Sequence, residues 1–256
     1  MISIDKYAYR SKLKHTDPVQ KVFFTLLTLA VCLWANHLII STLIIFIMGG
    51  MTVFIGGTPL RFFMKLLLAP LSFLFIGVFT IAVNVSESKE GLLVAISFAD
   101  TWIGFSKMGL QDAFHLIMRS LGAVSCLYFL SLSTPMVDLL GALHRLRLPN
   151  VLVEIMGLIY RFIFVLLETS DTIYHAQSCR LGYSSLSTGY RSLGSLASML
   201  FIRSYMRSDA LYTALEARGY EGELNVLEEA YTKNWRGYVV TFGINIFLVF
   251  LAILLK

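Results

Sequence analysis

Two arginines are placed alike in this chain. Arg180 lies in HAQSCRLGYS (175–184), and Arg218 lies 38 residues further on in TALEARGYEG (213–222). Each follows a small residue, Cys179 or Ala217, and each leads into glycine and tyrosine. An arginine in the last turn of a helix meets the negative end of the helix dipole, and a following glycine supplies the left-handed residue that ends the helix. Capping accounts for such an order once. Two long helices that finish the same way, each with a small residue beside the guanidinium, suit a second chemistry. A cation projected from a slim helix tip fits a groove on another protein, where a carboxylate and backbone carbonyls receive it. The planar fork of arginine matches that arrangement better than lysine does. On residue types alone the two readings stand level.

Other site chemistry finds little support. There is no GxxxxGK[ST] loop to cradle a nucleotide phosphate, no HExxH and no GxSxG. The histidines (15, 37, 115, 144 and 175) are dispersed, and none is spaced with Cys or a carboxylate as metal ligands are. Cys32, Cys126 and Cys179 form no CxxC and imply no disulfide framework. The net charge of +5 comes without a cationic block interleaved with aromatics, so nucleic acid is not an expected partner. The expectation is a non-enzymatic chain with no cofactor and no metal site of its own.

The elements that carry the arginines follow from composition. Of 256 residues, 57% are hydrophobic and only 14% charged, and the mean hydropathy is +0.72. A soluble domain is roughly 45–50% apolar and about 25% charged. The apolar residues gather in runs near the ~20 residues that cross a bilayer as helix. The first twenty residues are polar, and no cleavable signal is indicated. Residues 22–55 are too long for one span, since a single helix would reach about 51 Å. Asn36-His37, the polar pair in that run, is the natural turn between spans at about 20–35 and 38–55. Further spans are expected at about 66–85, 113–132 and 236–255. Residues 92–108, short and rich in β-formers, read as an interfacial or re-entrant piece. Lys6, Arg10, Lys12, Lys14 and Lys21 precede the first span, and Arg61 and Lys65 sit between the second and third. The turns at 36–37 and 86–90 carry only Lys89, so the cation-rich segments belong on the cytoplasmic side. Arg119, at the start of the fourth span, is either an intramembrane functional charge or a boundary residue snorkelling or facing a neighbouring helix. The second reading is favoured.

From residue 133 the character changes. Residues 134–149 form a leucine-rich helical stretch from Thr134-Pro135 to Pro149. Residues 150–178 read as one long helix with Asn150 at its N-cap, and its Glu154, Arg161, Glu168 and His175 recur every seven residues as a polar edge. Two charges within 151–167 make it a poor span. A second long helix, 189–217, carries Arg, Ser and Tyr with Met199 and Met206 on its other sides. The expected fold is an all-α integral membrane protein with about five transmembrane helices. Its segments are a cytoplasmic N-terminus (1–21), a bundle of about four spans (22–132), a cytoplasmic helical region (133–235) and a final span (236–256).

The chain resembles the transmembrane T component of energy-coupling factor transporters, in particular the CbiQ branch of cobalt importers. IDKYAYRS with HTDPVQK, LSLSTPMVDLLGALHRLRLP, LIYRFIFVLLETSDTIYHAQSCRLGY and ALEARGY carry the likeness, which runs nearly end to end. The resemblance implies a coupling scaffold of two long crossing cytoplasmic helices after a short preceding one. It places Cys179, Arg180, Leu181 and Ala217, Arg218, Gly219 in grooves on two ATP-binding cassette subunits. It implies a cobalt- or nickel-binding S component in the membrane, with a small accessory subunit as a further partner. It implies a multi-pass protein of the bacterial inner membrane, with ATP and the ion bound by partners. Leu181 departs from the pattern, which has glycine or another small residue there. The rival readings are a shared T component for vitamin-binding partners and an autonomous channel or carrier.

Overall fold

A computed structural model of the chain describes residues 3–35, 37–86, 92–98, 101–220, 231 and 235–255. The helices, in order, are α1 (Ser3–Arg10), α2 (Pro18–Ala35), α3 (Leu38–Gly50), α4 (Leu60–Ala82), α5 (Lys107–Ser133), α6 (Met136–Arg145), α7 (Asn150–Cys179), α8 (Leu186–Glu216) and α9 (Trp235–Leu254). A π-helical turn, Met51–Ile55, extends α3. Asn36 and Lys89 of the sequence reading, Asp100, and the acidic stretch 221–230 lie outside the described residues. By internal contacts the chain separates into two compact units, one of Ile2–Leu139 with Ala230–Lys256 and one spanning Leu140–Glu229.

In the first unit α5 is the central helix, packed against α1, α2, α3 and α4, while α9 lies against α2 and α3. The core is small. Phe24, Val31 and Cys32 of α2 meet Ile40, Ile44 and Met48 of α3, Cys126 and Phe129 of α5, and Leu248 and Ala252 of α9. The Phe24 and Phe129 rings meet edge to face with centroids 5.6 Å apart. Close approach is set by Gly122 on α5, where an added Cβ would stand 2.9 Å from Cys32 Sγ.

Several polar groups at the helix ends of this unit are tied off. Asp17 caps α2, its Oδ1 accepting from Val19 N at 3.0 Å, with Pro18 at the first helical position, where no N–H is needed. Lys21, assigned from the sequence to the cationic flank of the first span, is instead a buried pin. Its Nζ donates to the carbonyls of Leu13 (2.9 Å) and Ser133 (3.0 Å), so it closes the end of α5. Arg119 donates from Nη2 to the Leu33 carbonyl near the end of α2. This is the neighbouring-helix role and not an isolated intramembrane charge.

Outward, the unit is apolar: Phe54, Phe73, Ile76 and Phe250 are exposed at 84%, 76%, 71% and 64%. A small buried core inside an apolar exterior is what a bilayer, not water, stabilises. Among the described residues six helices are long and apolar enough to cross a membrane, one more than expected. The sixth is α7, whose 30 residues hold a stretch of mean hydropathy 2.0 despite Glu154 and Arg161. None of α7 is buried within the chain.

Residues 92–108 differ from the expected re-entrant piece. Strands β1 (Val83–Ser86), β2 (Leu92–Phe98) and β3 (Thr101–Ser106) form an antiparallel sheet in the order β1-β3-β2, with a register irregularity between Leu92 and Val94. Sheet pairing satisfies backbone groups that a short, non-helical apolar run leaves open, and residues such as Val, Ile, Trp and Phe favour it.

In the second unit α7 and α8 are joined by residues 180–185. Asn150 is the first helical residue of α7, and Pro149 occupies the N-cap with no side-chain bond, a correction of one position. Ser185 caps α8 through a reciprocal box with Thr188.

Candidate docking tips

The ends of α7 and α8 are built alike. At the end of α7, Arg180 N donates to the Gln177 carbonyl (3.1 Å), Leu181 N to Ser178 O (3.1 Å) and Gly182 N to Gln177 O (2.9 Å). At the end of α8, Arg218 N donates to Leu215 O (3.0 Å), Gly219 N to Glu216 O (3.0 Å) and Tyr220 N to Leu215 O (3.1 Å). Residue for residue these are the same pair of Schellman turns, in which two bonds fold the chain back over its last carbonyls. The left-handed position is Leu181 (φ 59°) in one and Gly219 (φ 73°) in the other. Arg180 and Arg218 therefore occupy one structural position, the residue just before the reversal.

Both arginines are exposed, as are Cys179, Leu181, Ala217 and Gly219 around them. Among the described residues neither guanidinium has a hydrogen-bonding or ionic partner. The slender flanks expected from the sequence are thus present in space, with Cys179 a free thiol.

Capping alone does not require arginine there. Helix α6 ends in the same kind of turn, with Arg147 N donating to His144 O (3.0 Å) and Leu148 N to Leu143 O (3.4 Å), and Arg147 in the left-handed region (φ 63°). The residue before that reversal is Leu146. One turn geometry accepts leucine at this place, so the repeated arginine asks for a cause outside the turn. An exposed cation at a helix C-terminus is worth only about 0.3–1 kcal/mol.

Side chains fix each tip. At the first, the Tyr183 hydroxyl donates to Gln177 Oε1 (2.8 Å), Gln177 Nε2 to Ser192 O (3.1 Å), and the Ser192 hydroxyl to Gly182 O (2.8 Å). Tyr183 also stacks on Tyr174 with ring centroids 4.8 Å apart. At the second, the Tyr220 hydroxyl donates to Glu154 Oε2 at 3.1 Å, which holds the end of α8 against the start of α7. The tyrosine after each arginine is thus the residue that locks the turn, a role not read from the sequence.

These contacts make α7 and α8 run in opposite directions, so the arginines sit at opposite ends of the pair. A helix of 31 residues such as α8 is roughly 46 Å long. The two guanidiniums cannot share one ligand. They stand at the two ends of one bar-like helix pair.

The long sides of the bar are apolar and uncovered within the chain. On α7, Leu152, Ile155, Ile159, Ile163 and Leu167 form an exposed stripe at helical spacing, and Tyr190, Leu193, Phe201 and Tyr205 are exposed on α8. Among the described residues no three His, Cys, Asp or Glu gather where they could hold a metal ion.

Comparison with known proteins finds likenesses over most of the chain. The family model of the cobalt transport protein CbiQ matches residues 9–228. An uncharacterised protein of Methanocaldococcus jannaschii is 33% identical over 254 residues, covering 99% of this chain and 93% of that one. The cobalt transport protein CbiQ of Salmonella typhimurium is 32% identical over 226 residues, covering 88% of this chain and all of that one. The energy-coupling factor transporter transmembrane protein EcfT of Staphylococcus aureus is 28% identical over 232 residues, covering 82% and 80%.

Proposed function

Because the chain belongs to the CbiQ family of cobalt transport proteins, we propose that it is the transmembrane coupling subunit of an ATP-driven importer for cobalt or nickel. Arg180 and Arg218 enter grooves on two ATP-binding subunits. Cys179, Leu181, Ala217 and Gly219 line the entering tips. The apolar sides of α7 and α8 carry a membrane-embedded substrate-binding subunit, with a small accessory subunit as a further partner. ATP and the ion bind to those partners, and hydrolysis belongs to the ATP-binding subunits. In this reading the N-terminus and the α7–α8 pair face the cytoplasm.

The observation that carries the reading is the identical, exposed and far-separated placement of the two arginines. When two ATP-binding subunits approach each other on closing, each moves one end of the bar. Because the tips are pinned to α7 by Tyr183 and Tyr220, that motion passes into α7 and α8 rather than into loose turns. The helices then tilt whatever rides on their apolar sides. A cobalt cargo is preferred because the matching family model and the relatives from Salmonella typhimurium and Rhodobacter capsulatus are all described as cobalt transport proteins.

Truncating one partner of a buried charged contact costs roughly 2–5 kcal/mol. Arg180→Ala and Arg218→Ala should each lower the amount of ATP-binding subunit that co-purifies from membranes, and the double variant should lose it, with membrane insertion unchanged. Wild-type stoichiometry and wild-type Co²⁺ uptake by the double variant would exclude docking by these residues.

A further inference from the structure

Leu181 is 73% exposed and holds a φ of 59°. That backbone region penalises a residue bearing a Cβ on the order of tenfold in population, which is why glycine usually takes it. A glycine is present in this turn, but one residue later. At Gly182 an added Cβ would stand 2.7 Å from Ser192 Oγ and 2.9 Å from the Gln177 carbonyl, so that place admits nothing larger. The left-handed place is thus left to a leucine. At the second tip Gly219 takes it, although nothing lies within 4 Å of where its Cβ would be, so space alone would admit a side chain there. Arg147 shows that this chain tolerates a side chain at such a place, but its side chain is a charged one. Leu181 combines an unfavourable backbone with an exposed apolar side chain, and that side chain is mostly uncovered within the chain.

We infer that Leu181 is an apolar anchor of the first tip, seated in an aliphatic pocket beside the carboxylate that receives Arg180 on the ATP-binding subunit. The inference rests on the docking reading above and adds the chemistry of one groove. Arg180 and Leu181 are consecutive on a turn locked by Gln177, Ser192 and Tyr183, so they leave the helix end together in fixed relation. The left-handed turn is present free and bound, so its cost cancels on binding while the burial of the leucine does not. Covering one leucine side chain raises affinity about ten- to hundredfold. The second tip has no such residue. The two contacts are therefore unequal, and the subunit on Arg180 dissociates more slowly than the one on Arg218, even where both are copies of one chain.

The test uses the assembled complex in nanodiscs, with Arg218→Ala as background so that the first tip is read alone. Dissociation of labelled ATP-binding subunit is followed for this background and with Leu181→Gly, Leu181→Ala or Arg180→Ala added. Leu181→Gly and Leu181→Ala should each speed dissociation tenfold or more. The melting temperature of the Leu181→Gly chain should match or exceed that of the background, since the turn is relieved. Dissociation of both leucine variants at the background rate while Arg180→Ala dissociates faster overturns the anchor and leaves docking standing. If Arg180→Ala also leaves the rate unchanged, the docking reading itself falls and the anchor with it.

Discussion

The Tyr220 hydroxyl donates to Glu154 Oε2 across 3.1 Å, joining the residue after the second arginine turn to the second turn of a helix that begins 70 positions earlier, at Asn150. This bond gives the end of α8 a seat against the start of α7. A hydrogen bond to a charged acceptor contributes about 1.5–3 kcal/mol when it is sheltered and less at a half-buried site such as this one. Tyr220→Phe should leave insertion and overall melting nearly unchanged but raise hydrogen exchange in the last turn of α8. Uptake should fall several-fold while ATP-binding subunit still co-purifies. Unchanged exchange at residues 213–219 would show that Tyr220 does not seat the tip.

Gly182 and Gly194 offer a matched comparison on the α7–α8 pair. A methyl at 182 would press on Ser192 Oγ and on a backbone carbonyl, whereas nothing lies within 4 Å of the same position at 194. Overpacking of this kind costs about 1–3 kcal/mol, while Gly→Ala inside an open helix gains up to about 1 kcal/mol. Gly182→Ala should lower the melting temperature and loosen the ATP-binding subunit proposed to dock at Arg180, without altering the arginine. Gly194→Ala should hold or raise the melting temperature. Equal melting of the two chains in detergent would refute this account of the turn.

Much of this molecule is legible in the sequence, for reasons that particular residues make plain. The first span, expected at about 20–35, is α2 (Pro18–Ala35), whose start two residues earlier follows from Asp17 as cap and a proline at the first helical position. Helix α2 ends at Ala35 and α3 begins at Leu38, on either side of the polar pair in an apolar run too long for one span. The arginine motifs mark the ends of α7 and α8 because left-handed reversals follow them. Other features depend on contacts between distant parts. Nothing local in Lys21 says that it turns inward to a carbonyl 112 residues away. Leu181 gives no sign of its backbone, since leucine rarely takes that conformation. Strands β2 and β3 were obscured because a short apolar run suits a strand and a buried helical segment equally well. In α7, Glu154 and Arg161 interrupt a 30-residue helix that is otherwise as apolar as a span, so charge and hydropathy point different ways.

Lys21 supplies a test of the membrane unit alone. It is 4% exposed, its donors meet Leu13 O and Ser133 O, and Asp17 and Asp138 provide the surrounding negative charge. Lys21→Met keeps the length of the side chain and removes the donors, leaving the end of α5 open. The expected loss is about 1.5–3 kcal/mol, the worth of hydrogen bonds from a charged donor. The purified variant should melt measurably lower in detergent and be cleaved faster by protease near residues 10–16 and 133–136. A wild-type melting curve would show that these carbonyls find other partners at no cost.

Arg119 separates a structural charge from a conducting one. Its Nη2 meets the carbonyl of Leu33, one of the last four in α2, which have no partner inside that helix. Cys32 Sγ in turn lies 3.7 Å from the Arg119 carbonyl, so the two helices are joined in both directions. Arg119→Met should therefore act through stability, removing about 1.5–3 kcal/mol and lowering the amount of folded protein in the membrane. Uptake normalised to the amount of assembled complex should stay at the wild-type level, because the proposed coupling runs through α7 and α8 and not through this residue. Normal yield and melting together with abolished uptake would reverse that assignment and make Arg119 part of the transport machinery.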